Sequence, residues 1–428
     1  MQRSAAKLAR ATALPPHRPA TPGSLHRGSP DGAPGPALRV ALLVRSSSWG
    51  GVEIHTLELA RTLARQGHEV TIAEMGERVF APALAGESLP IALTSIPLDR
   101  SPEDVGLRAW LRLLPALHAD VGVFAKGWYF NASAAFELAA RVVFPRYVVI
   151  EHLTPPTGEL PRLRRGIGGL IPRPELWRLR RWAQLRVRAF GPERVIGVSR
   201  AVVNQLRSAY GFNPKKMVVV PNGVDCERFR PDPVGRAASR ARWGIADGTV
   251  VFGTLGRLDV AHKGQNQALE ALASLRARRP AAQFRYVLVG DGPDRERLEQ
   301  QAAQLGVADL VVFAGPSAEP WAAHPGFDVF VLPSHYEGTP FALLEAMACG
   351  CPPVAMDVGG VGDVVSSPDV GWLVPAGDQA ALLGAMEAAL DAGDIARRTI
   401  GERARDHMLA SFRADRQYAI VADLVIRP

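Results

Sequence analysis

Two glutamates, Glu337 and Glu345, stand eight positions apart in a stretch otherwise suited to holding a phosphate-bearing ligand. An apolar strand from Asp328 to Leu332 is closed by Pro333 and Ser334, and a polar loop carries Glu337 and Gly338. Thr339 and Pro340 are expected to open a helix, the hydroxyl as N-cap and the proline at the first helical position. Phe341 to Ala348 supplies that helix and Gly350 its stop. A second buried strand, Pro353 to Met356, then leads into the glycine loop Gly359–Gly362. Strand end, helix start and glycine loop together present a concave wall of free backbone N–H groups, which suits phosphate. A carboxylate among such amides repels phosphate, so each glutamate is better used against hydroxyls. Either one alone reads as an ordinary solvated side chain; as a pair between glycine turns they read as a binding site.

The elements that must position this wall are alternating strands and helices. The first strand, Leu38 to Val44, runs into Gly50-Gly51, a helix from about Val52 to Gln66, the turn Gly67-His68 and a second strand, Glu69 to Ala73. This βαβ unit sets a glycine loop at the carboxyl end of a parallel strand, where open α/β sheets bind ligands. The loop is not G-x-G-x-x-G, so a nicotinamide-binding fingerprint is absent. Further buried strands are expected over 120–125 and 147–150. After the first comes Lys126-Gly127-Trp128-Tyr129-Phe130-Asn131, an aromatic and polar loop suited to stacking on a sugar. After the second comes His152, at a strand's carboxyl end. Strands over 195–198 and 217–220 follow, and then the passage Pro221 to Asp225. The alternation resumes with a strand over 249–254 and an exposed loop bearing Arg257 and Lys263, two cations able to clamp a diphosphate. Strands over 286–289 and 311–315, ending at Gly315, precede the glutamate stretch. Helices over 378–390 and 395–412 follow it, and 416–426 is expected to cross back to the first domain.

With 428 residues, 47% of them hydrophobic, the chain is long enough for two domains with full cores. Its three cysteines, Cys226, Cys349 and Cys351, have neither zinc spacing nor the even count of a disulfide framework, which fits a reducing cytosol. Residues 1–36 are rich in Pro, Ala, Gly and Arg, lack an apolar period, and are expected to form a disordered leader rather than a targeting sequence. Charge is concentrated locally. Nine arginines against two glutamates give 158–190 a net charge of +7, and 1–39 carries +5, so with +8 overall the remaining body is about −4. The arm over 158–190 also carries Trp177 and Trp182. A solvated helix face, buried packing and an anionic lipid surface are the competing readings of it. Nucleic acid is not expected, because the basic segment comes without a recognised binding module.

The run Pro333-Ser334, Glu337-Gly338, Leu344-Glu345-Ala346-Met347-Ala348 and Gly350 resembles the donor-site signature of retaining glycosyltransferases of family 4 (group 1). Gly50-Gly51-Val52-Glu53 and the ordered pair Arg257 and Lys263 are similar to further motifs of that family. The resemblance covers nearly all of 38–428 and implies an α/β GT-B fold, two facing Rossmann-like domains with a cleft between them. The expected partition is 37–232 for the acceptor side, 233–410 for the donor side and 411–428 for a segment crossing back. The implied reaction moves a sugar from a nucleotide-diphosphate-sugar donor to an acceptor hydroxyl with retention, in cell-surface glycan or glycolipid synthesis. Glu345 would then hold the ribose hydroxyls, Glu337 the donor sugar, and Arg257 and Lys263 the diphosphate. His152 matches an active-site histidine. Gly50, Gly51, Gly315, Gly338, Thr339 and Pro340 would line the donor, and Lys126, Trp128 and Asn131 the acceptor. No Asp-x-Asp occurs, so neither a metal nor any cofactor besides the nucleotide-sugar co-substrate is expected. Expected partners are that donor, a glycan or lipid-linked acceptor and an anionic membrane surface, with a cytoplasmic location. A non-catalytic member that only binds nucleotide-sugar or glycan is the alternative. One departure stands out: Gly362-Asp363 occupies the place where the family usually has Pro-Glu.

Overall fold

Among the described residues, thirteen strands make up two wholly parallel sheets. The computed structural model describes residues 36–99, 101–127, 133–153 and 189–427. The first sheet holds β1 (Arg39–Val44), β2 (Glu69–Glu74), β3 (Ile91–Ser95), β4 (Val121–Lys126), β5 (Arg146–Glu151), β6 (Arg194–Gly197) and β7 (Met217–Val219), in the order β3-β2-β1-β4-β5-β6-β7. The second holds β8 (Val250–Leu255), β9 (Phe284–Val289), β10 (Val311–Gly315), β11 (Val329–Leu332), β12 (Pro353–Asp357) and β13 (Trp372–Pro375), in the order β10-β9-β8-β11-β12-β13. The central strands read as apolar runs, VALLV after Arg39 in β1 and VFVL for β11, because helices cover both faces of each sheet. The edge strands β3 and β13, not anticipated from the sequence, are short and half-exposed.

Strand order locates the ligand-binding edges. In the first sheet the order reverses between β1 and β4, and in the second between β8 and β11. Crevices at the carboxyl ends of such strands are the binding positions of doubly wound sheets. The loops there are Arg45–Gly50 and that beginning at Gly127 in one sheet, and Gly256–Asp259 and Pro333–Pro340 in the other.

Residues Leu38–Pro428 form one compact unit that contains both sheets. A helix at Ala414–Ile426 returns to the first sheet and packs on the helix Gly51–Arg65. Its Tyr418, Val421, Ala422 and Val425 are buried in the same cluster as Val40, Leu42 and Val44 of β1. Arg194 Nη1 donates to the carbonyl of Leu424 at 2.8 Å, holding the helix end. The return crosses the linker between the sheets at one bridge, where Val224 N donates to Phe412 O at 2.8 Å and Ala414 N to Val224 O at 3.0 Å. The leader 1–36, apart from Pro36, and the arm 158–190, apart from Ala189 and Phe190, lie outside the described residues.

Candidate functional site

Glu337 sits at the floor of the crevice after β11. Its carboxylate is almost fully buried and accepts from Ser334 Oγ at 2.7 Å and Lys263 Nζ at 2.8 Å. Burial pushes its pKa up, but Lys263, His262 and Ser334 together bring it below the ordinary carboxylate value. Lys263 ends a single helical turn, Val260–Lys263, which Asp259 caps by accepting from His262 N. That turn is fastened to the glutamate loop, with His335 N donating to His262 O at 2.9 Å and the His262 ring stacked on Tyr336 at 4.3 Å. Lys263 is therefore a half-buried, paired cation and not the exposed loop residue expected from the sequence, whereas Arg257 is exposed as expected.

The loop after Glu337 touches the other sheet's edge. A Cβ on Gly338 would overlap the carbonyl oxygen of His152, and one on Gly359 would overlap that of Glu337. Gly359 also has a φ of +58°, so the close approach and the left-handed backbone both require glycine there. Gly360 N donates to Gly338 O at 2.7 Å, tying the glycine loop to the glutamate loop.

Thr339 does not cap the helix. Its hydroxyl donates to the carbonyl of Val198 in the first sheet's half, and its own carbonyl accepts from Asn222 Nδ2 at 2.7 Å. Pro340 takes the N-cap position with no side-chain cap, so the helix Phe341–Ala348 begins with uncapped N–H groups. The first sheet's glycine loop meets this helix start, for a Cβ on Gly51 would lie 3.2 Å from the Phe341 ring. Gly50 precedes it as the N-cap of the helix Gly51–Arg65.

His152 is buried at the end of β5, its Nδ1 3.2 Å from the carbonyl of Lys126. A carbonyl only accepts, so Nδ1 carries the hydrogen and Nε2 is a bare acceptor, without a partner among the described residues. Burial, then the neighbouring His55, push the His152 pKa well below its ordinary value, so the ring is neutral. His55 packs edge-on against it at 4.6 Å and places Nδ1 2.9 Å from Asn222 Oδ1. Because Asn222 gives its amide N–H to Thr339, its oxygen must accept, which assigns the hydrogen to His55 Nδ1. His55 was not singled out in the sequence, and Asn222 only as part of the passage Pro221 to Asp225; the contact that unites them spans 167 residues.

Lys126 is corrected outright. Its ammonium lies inside the first domain between Glu137 and Glu151, all three almost wholly buried, and so does not reach an acceptor. Buried cations persist only when paired, and here two carboxylates meet one ammonium. Trp128 and Asn131 lie outside the described residues. Gly315 ends β10 with φ +75°, its carbonyl accepting from Gly290 N at 2.8 Å. Glu345 lies at the fifth position of its helix with Oε2 3.3 Å from His324 Nε2, a histidine the sequence reading passed over. Asp363, the family departure, accepts from Arg200 N at 3.2 Å and pairs with its guanidinium at 3.7 Å, linking the glycine loop to the first sheet's half. Among the described residues no cluster of metal ligands occurs.

Two parallel sheets with their switch-point loops in contact define a two-lobed α/β protein of the GT-B class. Its fold matches the Anabaena protein HepE solved in complex with UDP, with a TM-score of 0.70 at 20% identity over 90% of this chain and 99% of that one. Residues 49–228 match the family described as Glycosyltransferase Family 4, and residues 235–407 that described as Glycosyl transferases group 1. The D-inositol 3-phosphate glycosyltransferase of Acidothermus cellulolyticus is 30% identical over 416 residues, 88% of each chain. That of Geodermatophilus obscurus is 38% identical over 253 residues, an alignment spanning 54% of this chain and 56% of that protein. The chain belongs to the family 4, group 1 glycosyltransferases, enzymes of the glycosyl-transferring class.

Proposed function

We propose that the protein transfers a sugar from a nucleoside-diphosphate donor to an acceptor hydroxyl with retention at the anomeric carbon. The observation that carries this reading is Lys263 held on Glu337 beside the uncapped start of the Phe341–Ala348 helix. A departing diphosphate needs its growing charge neutralised, and a cation with aimed backbone N–H groups supplies that without a metal. Lys263 and Arg257 would meet the diphosphate, Glu337 the sugar hydroxyls, and Glu345 the ribose. The relatives named above are called D-inositol 3-phosphate glycosyltransferases, and a polyol hydroxyl is accordingly the acceptor class we favour, within glycan or glycolipid synthesis.

A thermal-shift panel of UDP-, GDP- and ADP-sugars tests the donor, since a ligand bound only by the folded state raises the melting temperature. NMR of the product's anomeric proton then tests retention. No stabilisation by any donor, or no nucleotide release with any acceptor, overturns the proposal.

No helix among the described residues is long and apolar enough to cross a membrane. We propose peripheral attachment to the cytoplasmic membrane face through the arm over 158–190, whose arginines and tryptophans suit an anionic lipid surface. Vesicle co-sedimentation should require anionic lipid, fall with salt, and drop when Arg178, Arg180, Arg181, Arg186 and Arg188 become Gln. Indifference to lipid charge rejects the arm as an anchor.

A further inference from the structure

We propose that His324 is a positioning residue for Glu345, holding one carboxylate oxygen so that the other is presented to the ribose of the nucleotide. The inference rests on the reading of Glu345 as the ribose ligand.

His324 opens a short turn, His324–Gly326, between the Pro320–Ala323 turn and β11, and it has no solvent exposure. Its Nε2 lies 3.3 Å from Glu345 Oε2. A carboxylate oxygen only accepts, so Nε2 carries the hydrogen and donates. The other ring nitrogen, Nδ1, is buried and has no partner among the described residues. The bond to Glu345 is therefore the one polar contact the ring makes there, which is unusual for a fully buried histidine.

The ring is not free to turn away. Phe229, Phe327 and Phe330 surround it edge-on, with centroids at 6.2, 5.9 and 5.7 Å, and Phe327 N donates to the His324 carbonyl at 3.1 Å. Glu345 has a different need. Its side chain keeps 8% of its surface, and Oε1 has no partner among the described residues and is not sealed from solvent. A glutamate side chain otherwise samples several rotamers, and ordering it on binding costs affinity. A donor fixed by aromatic packing removes that cost before the ligand arrives. His324 thus adds affinity for ribose hydroxyls without touching the nucleotide.

The test is calorimetric titration of the full chain with UDP, GDP and ADP. It is repeated with the 2′,3′-dideoxy form of whichever diphosphate binds tightest. Wild type should favour the ribonucleotide by about tenfold or more, the worth of a hydrogen bond to a charged group. Glu345→Gln should shrink that ratio. His324→Leu should weaken the ribonucleotide, spare the dideoxy form, and bring the ratio towards one. His324→Gln, whose amide reaches about as far as Nε2, should keep most of the preference. If His324→Leu does not fold, His324→Asn serves, because its amide reaches only as far as Nδ1.

A ratio unchanged in the Leu or Asn variant, alongside a collapse in Glu345→Gln, overturns the role of His324 while leaving Glu345 in place. Equal weakening of both ligands by loss of His324 reduces it to a packing residue and likewise overturns the proposal. A wild-type protein that does not distinguish the two ligands rejects Glu345 as the ribose ligand. Failure to bind any of the three diphosphates rejects the donor site itself.

Discussion

No side chain fits between Gly338 and the carbonyl oxygen of His152. His152 follows β5 and Gly338 follows β11, strands of different sheets, so this contact sets how closely the glutamate loop approaches the end of β5.

Gly338→Ala should therefore push the two loops apart while leaving each sheet's core intact. A displacement of about an ångström between reacting groups can cost roughly a hundredfold in rate, and a loss of that order in kcat is expected. Steady-state turnover with saturating donor measures it, and unchanged turnover refutes the apposition.

The pairing of Lys263 with Glu337 makes a site residue structural as well. Lys263→Ala should lower turnover by about tenfold to a thousandfold through loss of the diphosphate contact. It also leaves the Glu337 carboxylate buried without its cation. Because Lys263 keeps a quarter of its surface in solvent, the stability loss should be only about 1–2 kcal/mol, below that of a fully buried pair. The folded pKa of Glu337 lies below its ordinary 4.5, so the pair's contribution is present above that value and fades as pH falls through the lower folded one. Denaturant titration at several pH values should find this contribution missing in the variant.

Burial lowers the pKa of His55 from 6.5 to about 4, its hydrogen bond with Asn222 only partly opposing this. The unfolded chain takes up a proton below about 6.5 while the folded one refuses it until about 4. Stability should thus be full above pH 6.5 and decline between those values, by up to roughly 3 kcal/mol, with His152 acting in the same direction. His55→Asn keeps a donor near the place of Nδ1 and cannot titrate, so the decline should flatten. NMR titration of the histidine Cε1 protons checks the same point, and a His55 that protonates near pH 6.5 contradicts the burial argument.

Truncation after Arg413 removes Tyr418, Val421, Ala422 and Val425 from the first sheet's cluster. Burying each large apolar side chain contributes about 1.5–3 kcal/mol, so their sum approaches the whole stability of a domain. The truncated chain should be insoluble or lack cooperative unfolding by circular dichroism, whereas Val425→Ala alone should cost about 1–3 kcal/mol.

The sequence by itself determined the parallel α/β alternation, because strands covered on both faces must be largely apolar runs, and β1, β4, β8 and β11 are. It also set the bounds of the Phe341–Ala348 helix, since Gly350 and the preceding proline end and begin it locally. The resemblance of that stretch to family 4 glycosyltransferases was legible for the same reason, its residues being close together in the chain. Tertiary structure alone decided what individual polar groups do. The Thr339 hydroxyl binds Val198, 141 positions away, instead of capping its helix, and Lys126 turns inward because Glu137 and Glu151 are there to receive it. His55 and His324 carried no signal, and Asn222 read only as part of a linker turn, for each is defined by a partner brought close only by the packing of sheets and loops. Periodicity reports which face of an element is apolar. It cannot report which buried hydrogen-bonding group a distant segment will supply, and that choice set the detailed geometry of this site.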